Sequence, residues 1–137
     1  MHIDFFLERF CANSENEAMI WHDKVYTYHD ILSYIEQDRE KLKESISSPM
    51  VVSIEADFSP HAAALLLTLI DLGCVIVPLT ESVASKKGEF KDIAQVEATV
   101  ILHEDDSFSF QTENRRADHE IIQKLKRENH PGLILFS

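Results

Sequence analysis

The stretch that decides the fold is VVSIEADFSPHAAALLLTLIDLGCVIVPL, residues 51–79. Its β-branched start predicts a strand over 50–56. Ser59 followed by Pro60 is typical of a helix start, because serine caps the free N–H groups and proline fits the first helical position. The helix predicted over 60–72 is apolar on almost every side, which indicates that both of its faces are covered.

Gly73 is expected to end this helix, and the continuous apolar run CVIVPL, 74–79, predicts an interior parallel strand. A hydropathy profile alone suggests a membrane span over 62–79. Asp71, Gly73 and Pro78 interrupt that stretch, and its composition changes halfway from Ala and Leu to Val and Ile. A buried helix followed by a buried strand explains it better, so we expect no membrane span.

A short helix and a hairpin are predicted at the start of the chain. Apolar residues recur there at helical spacing, at Ile3, Phe6, Leu7 and Phe10. The segments AMIW, 18–21, and KVYTY, 24–28, are interpreted as two short strands that turn at His22-Asp23-Lys24, although this turn lacks the usual Asn-Gly or Asp-Gly.

A long helix follows, which begins at Thr27 because Thr27-x-x-Asp30 resembles a capping box. Its apolar residues form one stripe, Ile31, Leu32, Ile35, Leu42 and Ile46. Modest support is expected from i,i+3 ion pairs on its solvent side, Asp38–Lys41 and Glu40–Lys43. The segment SISSP, 45–49, is expected to end it.

The remainder of the chain completes an α/β pattern. The segment 81–98 predicts a loop and a short helix with three inward residues, Phe90, Ile93 and Val96. The remaining predicted elements are a hairpin of TVILH and FSFQ, a helix over 117–129 and a last strand GLILFS, 132–137. We therefore expect a single α/β domain over 1–137, with a mostly parallel sheet flanked by helices and with short N-terminal and internal β-hairpins.

Composition excludes several partners. The chain has 13 Lys and Arg against 24 Asp and Glu, a formal net charge of −11. Its three short basic clusters, 85–87, 115–116 and 124–127, lie among acids and are interpreted as solvated faces. We therefore expect no nucleic-acid partner. Two cysteines without metal-ligand spacing indicate neither zinc nor a disulfide framework, and we expect a reducing cytoplasm.

The search for catalytic motifs gives little. The only glycines are Gly73, Gly88 and Gly132, so the chain has no Gly-rich phosphate loop. The run His103-Glu104-Asp105-Asp106 contains metal-binding residue types, but we interpret it as a solvated hairpin turn. His61, in the first turn of the apolar helix, is expected at the surface or in a helix-start contact, and no nucleophile lies near His22 or His29 in sequence.

Asp57 is the strongest single candidate for a functional residue, because it follows a strand at the end where α/β folds bind ligands. In a phospho-acceptor receiver domain such an aspartate is the modified residue. That class also requires an acidic pair after the first strand and a lysine after the last, and neither is present. We therefore interpret Asp57 as a turn and helix-start residue.

Several segments together resemble the N-terminal part of the AMP-forming acyl-CoA synthetase superfamily, the adenylate-forming ligases. ERF and AMIWHDKVYTYHDIL are similar to the family's opening helix, hairpin and first long helix. Residues 51–79 are similar to its strand–turn–Pro–helix–Gly–strand unit, down to the terminal VPL. PGLILFS, 131–137, is similar to the strand that leads into the family's Ser/Thr/Gly-rich phosphate-binding loop.

The resemblance implies a reaction for a larger parent protein. A carboxylic acid attacks the α-phosphate of ATP with magnesium, and a thiol of coenzyme A or a carrier pantetheine then takes the acyl group. Only Ser137 matches a motif position, the first hydroxyl residue at the mouth of the phosphate-binding loop. It is the single cofactor-binding residue that the resemblance assigns, and no catalytic or metal-binding residue is assigned.

The expected function is therefore a scaffold, a fragment of a larger N-terminal adenylation domain that is inactive alone and binds no cofactor by itself. Its expected partner is the remainder of the ligase chain. The sequence leaves open which acid is activated and whether the acceptor is coenzyme A or a carrier protein. The alternative is a stand-alone interaction module with the same scaffold. Because a truncated sheet exposes an unpaired edge or an uncovered apolar face, we expect self-association through the region near LILFS.

Overall fold

A five-stranded sheet forms the centre of the computed structural model, which describes residues 2–46 and 49–137. Its strands are β3 (Val51–Glu55), β4 (Val75–Leu79), β5 (Ala98–Leu102), β6 (Phe108–Thr112) and β7 (Gly132–Leu133). They lie in the order β6-β5-β3-β4-β7. All neighbours are parallel except β5 and β6, which form an antiparallel hairpin. The predicted α/β class with a mostly parallel sheet is confirmed.

Helices cover both faces of this sheet. They are α2 (Tyr28–Leu42), α3 (Pro60–Asp71), α4 (Lys87–Ala94) and α5 (Glu120–Arg127), whereas α1 (Asp4–Ala12) packs against α2. Residues from α2 and α3 form one core cluster with Val52 and Ile54, whereas residues from α4 and α5 form another with Val51. Alternate side chains of β3 thus point to opposite faces. Among the described residues, no helix is both long enough and apolar enough to cross a membrane.

The predicted N-terminal hairpin consists of β1 (Glu17–Trp21) and β2 (Lys24–Thr27). Its turn residues His22 and Asp23 have φ of 51° and 64°. A two-residue turn with positive φ at both positions matches the twist of the flanking strands, and Asp and His tolerate this region better than most residues. Asn-Gly is therefore not required here.

The caps of α2 and α3 have the predicted geometry. Thr27 and Asp30 form a reciprocal capping box, with donor–acceptor distances of 2.9 and 3.2 Å. The Ser59 hydroxyl accepts a hydrogen bond from the Ala62 N–H at 3.1 Å.

Gly73 ends α3 at a φ of 79°, in the left-handed region that favours glycine. The Gly73 N–H donates to Ile70 O and the Cys74 N–H donates to Leu69 O. Together these bonds make a Schellman motif, which satisfies two of the last carbonyls of the helix.

Two predictions about local structure are wrong in detail, the inward position of Ile93 and the length of the last strand. Ile93 is 61% exposed, and Ala94 takes the inward position of α4. The inward position predicted for Val96 is confirmed, but Val96 lies beyond the helix, because α4 ends before Gln95, whose φ of 57° redirects the chain. The ladder of β7 is also shorter than predicted, although the Ile134 N–H still donates to Ile76 O.

The predicted end of α2 at 45–49 includes Ser47 and Ser48, which lie outside the described residues. The helix itself ends at Leu42, with Lys43 as its cap residue. Of the two predicted ion pairs on α2, Glu40–Lys43 is present at 2.8 Å. The other is wrong, since Asp38 is buried and contacts a different helix.

Candidate functional site at the carboxyl edge of the sheet

The parallel strands β3, β4, β5 and β7 all end at the same edge of the sheet. After β3 the chain enters α3 on one face, whereas after β4 it passes to α4 on the other. Connections that leave adjacent strands toward opposite faces open a crevice between them, where α/β folds bind ligands. A pocket of about 320 Å³ lies here, and its lining includes Ala56, Asp57, Thr80, Leu102 and Glu104.

Charged side chains at this edge neutralise one another. Glu55 accepts hydrogen bonds from Lys87 at 2.8 Å and from Lys91 at 3.0 Å. Lys91 also contacts Glu113 at 2.9 Å, and Glu113 accepts from the Thr99 hydroxyl at 2.7 Å. The two lysines are thus held by carboxylates, which fixes the loop after β4 to the end of β3.

The pKa values follow from these contacts. Burial by itself raises the pKa of Glu55, but the hydrogen bonds from Lys87 and Lys91 outweigh it and leave the pKa below its ordinary value. Hydrogen bonds from Lys91 and Thr99 likewise lower the pKa of Glu113. Burial lowers the pKa of Lys91, yet its bonds to Glu113 and Glu55 leave it raised. The network therefore stays ionised at neutral pH.

The interpretation of the basic clusters as solvated faces is only partly correct. Lys87, Arg115 and Lys126 each belong to one of these clusters, and each makes an ion pair, with Glu55, Asp92 and Glu97 respectively. Lys126 holds Glu97, a carboxylate that is 8% exposed and accepts from the Val51 N–H. These cations therefore have structural partners within the fold.

Asp57 lies exposed in the turn between β3 and α3, two residues before the cap residue Ser59. This is the predicted turn and helix-start position. Lys87, which lines the same pocket, donates a hydrogen bond to Glu55.

The run His103-Glu104-Asp105-Asp106 forms the turn between β5 and β6, as predicted. Asp105 accepts from the Ser107 N–H at 3.0 Å, and Asp106 has a φ of 68°. No group of three His, Cys, Asp or Glu side chains within 2–46 and 49–137 is placed to hold a metal ion. Cys74 is buried, and burial raises its pKa to about 11, so its thiol is unreactive; Cys11 is exposed.

The prediction of a surface position for His61 is wrong. Its side chain is 3% exposed, and Nε2 lies 2.9 and 3.0 Å from the two carboxylate oxygens of Asp38, which is 1% exposed. The ring stacks on Tyr34 at 4.3 Å, and Nδ1 lies 3.4 Å from Asp106 Oδ1. We call Tyr34, Asp38, His61 and Asp106 the His61 cluster.

A second polar pair missed by the sequence prediction links the same two helices. Arg39 of α2 donates to Asp71 of α3 at 2.6 Å, and the Asp71 side chain is 2% exposed. For the His61 cluster the sequence did contain a signal: Asp38 falls on the apolar stripe, between Ile35 and Leu42. A carboxylate at a core position requires a buried partner.

Ser137 lies exposed after Phe136, beyond the paired residues of β7. The Phe136 ring stacks on Phe90 of α4 at 4.1 Å. This contact fixes the position of the residue before Ser137. The cofactor-binding role of Ser137 stays a prediction.

An apolar groove of about 360 Å³ lies between α3 and the segment that contains β7. Its lining includes Leu66, Pro78 and three strongly exposed residues, Phe58 (73%), Leu133 (54%) and Leu135 (68%). We call it the α3–β7 groove. It joins the unpaired edge of β7, the last strand of the sheet.

Comparison with known proteins identifies the fold. No family model and no curated protein matches the chain. Among solved structures, it is similar to NpsA-ThdA, an artificially fused adenylation–PCP di-domain NRPS from Klebsiella oxytoca, with a TM-score of 0.70 and 16% identity over 98% of the chain. The N-terminal subdomain of Klebsiella oxytoca NpsA gives a TM-score of 0.69 and 21% identity over 96%.

A four-domain nonribosomal peptide synthetase, holo-AB3403 bound to AMP and glycine, matches all of the chain with a TM-score of 0.70 and 16% identity. The chain spans only 28%, 36% and 11% of these three structures. It therefore has the fold of the N-terminal part of an adenylation domain.

Proposed function

We propose that the chain is the N-terminal scaffold of an ATP-dependent acid–thiol ligase. In the parent, a carboxylate attacks the α-phosphate of ATP, giving an acyl-adenylate and pyrophosphate. The thiol of coenzyme A or of a carrier pantetheine then displaces AMP to form a thioester. The observation that supports this function is the match of 96–100% of the chain to adenylation domains in the same fold.

We propose that the described residues do not by themselves bind ATP and magnesium. Lys87 and Lys91, the cations at the carboxyl edge, are neutralised by Glu55 and Glu113. Phosphate binding requires converging N–H and cationic donors, and no Gly-rich loop in this chain offers them. We therefore propose that the chain alone is non-catalytic and that Ser137 adds one hydroxyl to a phosphate site completed by the rest of the parent.

The domain proposal follows from the same comparison. Since the chain spans about a tenth to about a third of the structures that it matches, we propose that it is one part of a larger adenylation domain. Its principal partner is then the remainder of that ligase. The acidic charge of −11 supports a protein without a nucleic-acid partner, and we propose the cytoplasm as its compartment.

The activity test uses residues 1–137 with ATP, magnesium and a panel of carboxylic acids. We expect no pyrophosphate release above the protein-free blank, because the sequence contains no Gly-rich phosphate loop. The matched positive sample is the full product of the same reading frame, which is expected to release pyrophosphate with at least one acid. Turnover by residues 1–137 alone contradicts the scaffold function.

A full-length product that is inactive with every acid tested favours the alternative, a stand-alone interaction module. The exposed α3–β7 groove supports this alternative, because large exposed apolar surfaces mark interaction sites. The reading frame after Ser137 separates the two functions further. Ser/Thr/Gly-rich sequence that ends in Pro-Lys supports the ligase, and a stop codon supports the module.

We also propose that the isolated chain self-associates through β7. The N–H groups of Gly132 and Ile134 point to β4, so those of Leu133 and Leu135 face away from the sheet. An edge of this kind, next to exposed apolar side chains, favours strand addition by a second copy. The charge of −11 opposes close approach, so association is expected to strengthen as salt screens the repulsion.

Sedimentation velocity at rising protein concentration, in low and high salt, measures this association. Leu135→Lys is expected to weaken it, because a charge then lies on the proposed contact. Ile121→Lys on α5 is the matched control, since Ile121 is 64% exposed and Leu135 is 68% exposed. A strict monomer at every concentration, or equal weakening by both variants, contradicts association through β7.

A further inference from the structure

The chain leaves the sheet between Ile134 and Ser137. β7 ends at Leu133, and the last bond of its ladder runs from the Ile134 N–H to Ile76 O at 2.9 Å. Because β7 is parallel to β4, the segment 135–137 continues toward the carboxyl edge of the sheet. The position of this segment therefore depends on contacts other than the ladder.

A proline in β4 explains why the ladder stops here. The Val75 N–H donates to Met50 O at 3.0 Å, so the odd-numbered residues of β4 direct their N–H groups to β3. The even-numbered residues, Ile76 and Pro78, face β7 instead. The next bond of a parallel ladder would run from the N–H of residue 78 to Ile134 O, but proline has no N–H. The sheet therefore cannot continue its pairing past Ile134.

The segment 135–137 is held by one aromatic contact. Leu135 is 68% exposed and Ser137 is exposed, whereas Phe136 is partly buried. The Phe136 ring lies on the Phe90 ring, with centroids 4.1 Å apart and planes 8° apart. Both rings pack against the core cluster that α4 and α5 share. Since consecutive Cα atoms lie about 3.8 Å apart, a fixed Phe136 confines Ser137 to the space beside α4.

The helix that carries Phe90 is itself fixed to the sheet. Phe90 lies on α4 between Lys87 and Lys91. Both amino groups donate to Glu55 at the end of β3, at 2.8 and 3.0 Å. Lys91 also contacts Glu113 at 2.9 Å. α4 is thus tied to β3 on either side of Phe90, so the Phe90 ring keeps a constant position relative to the carboxyl edge.

We propose that Phe90 is a positioning residue for Ser137. It holds Phe136 at the point where Pro78 ends the ladder, and it thereby sets the place of the Ser137 hydroxyl at the carboxyl edge. This assignment rests on the proposed function, in which Ser137 adds one hydroxyl to a phosphate site of the parent. Phe90 acts on that site through Phe136.

NMR relaxation of residues 1–137 tests the positioning without any enzymatic activity. In Phe90→Ala, the order parameter of the Phe136 amide is expected to fall below about 0.6, the range of flexible backbone, while that of Ile76 stays near about 0.85. Ile122→Ala is the matched control, because Ile122 is buried in the same core cluster but lies on α5. It is expected to leave the Phe136 amide unchanged. An order parameter that Phe90→Ala does not lower overturns the proposal.

Pro78→Ala tests why the aromatic contact is needed. It supplies the missing N–H, so the amide at position 78 is expected to be protected from hydrogen exchange, like that of Ile76. In Pro78→Ala/Phe90→Ala, the longer ladder is expected to restore part of the order that the Phe136 amide loses in Phe90→Ala. A freely exchanging amide at position 78 contradicts the role given to Pro78.

The full product of the same reading frame tests the effect on ATP. There, Phe90→Ala is expected to raise the KM for ATP about fivefold, the factor that an aromatic pair of ordinary strength corresponds to, and to leave the KM for the acid unchanged. Phe90→Tyr is expected to restore the KM for ATP, because its ring also stacks and a pocket of about 250 Å³ beside both rings accommodates the hydroxyl.

The same measurement separates positioning from a loss of stability. Ile122→Ala is expected to reduce the amount of folded enzyme without changing the KM for ATP. Equal changes in this KM for Phe90→Ala and Ile122→Ala overturn the proposal. A full product that is inactive with every acid contradicts the proposed function instead, and the order parameter of the Phe136 amide then decides whether Phe90 positions the segment.

Discussion

Leu69→Ala is expected to lower the free energy of unfolding by about 3 kcal/mol. Leu69 is fully buried in the core cluster that joins α3 to the sheet, next to Leu65 and Ile76. Removing its branched end leaves a cavity, because the strands below are fixed by hydrogen bonds on both sides and cannot close the gap. The substitution leaves the helix propensity of α3 intact, since alanine is the best helix former.

Leu66→Ala is the matched control on the same helix. Leu66 is only partly buried and lines the open α3–β7 groove, so its truncation enlarges a space that solvent already reaches. We expect a loss smaller than half of that for Leu69→Ala. Urea unfolding followed by circular dichroism measures both, with an unchanged m value indicating that the native state stays compact. Equal losses for the two variants contradict the packing described here.

Local features of the chain were predictable because each depends on neighbouring residues. Thr27 and Asp30 form their capping box, and Gly73 ends α3, through bonds that span only a few residues. The strand–helix–strand unit over 51–79 was predictable for the same reason. Its apolar runs are long enough to require burial, and its caps define where each element starts and ends.

Strand order was not predictable from periodicity. β5 pairs with β3 across 42 intervening residues, and β7 pairs with β4 across 52. Hydrophobic pattern indicates that a strand is buried but not which strand lies beside it. The orientation of Ile93 was predicted wrongly for a different reason. α4 ends before Gln95, which adopts a left-handed backbone conformation although it is not a glycine. The end of this helix could therefore not be predicted from the residue types.

Of the candidate site, the sequence predicted the location better than the contacts. Asp57 and the turn at 103–106 do lie at the carboxyl edge of the sheet, where strand ends meet. The partners of the charged residues were missed, because Glu55 meets Lys87 and Lys91 only through the fold of the loop after β4. Asp38 and His61 likewise come from different helices, and no spacing rule links two residues on packed helices.

Asp38→Ala is expected to lower the free energy of unfolding by about 3 kcal/mol or more, because it leaves the His61 imidazole buried without its partner. Asp38 and His61 are 1% and 3% exposed, so water cannot replace the lost contact without opening α2 from α3. Thermal and urea unfolding at pH 6 and pH 8 measure the loss. A loss below about 1 kcal/mol at both pH values contradicts a buried pair.

Two further variants distinguish the loss of the polar partner of His61 from the loss of packed side-chain volume. Asp38→Asn keeps the shape of the side chain and a hydrogen-bonding amide, so its loss is expected to be less than half of that for Asp38→Ala. In Asp38→Ala/His61→Phe the phenyl ring takes the place of the imidazole on Tyr34, and the unpartnered polar atoms are removed. Because replacing a buried polar pair by apolar groups is often nearly neutral, the double variant is expected to be more stable than Asp38→Ala alone. If it is instead less stable by the sum of both truncations, packing rather than the polar contact holds α2 to α3 at this point.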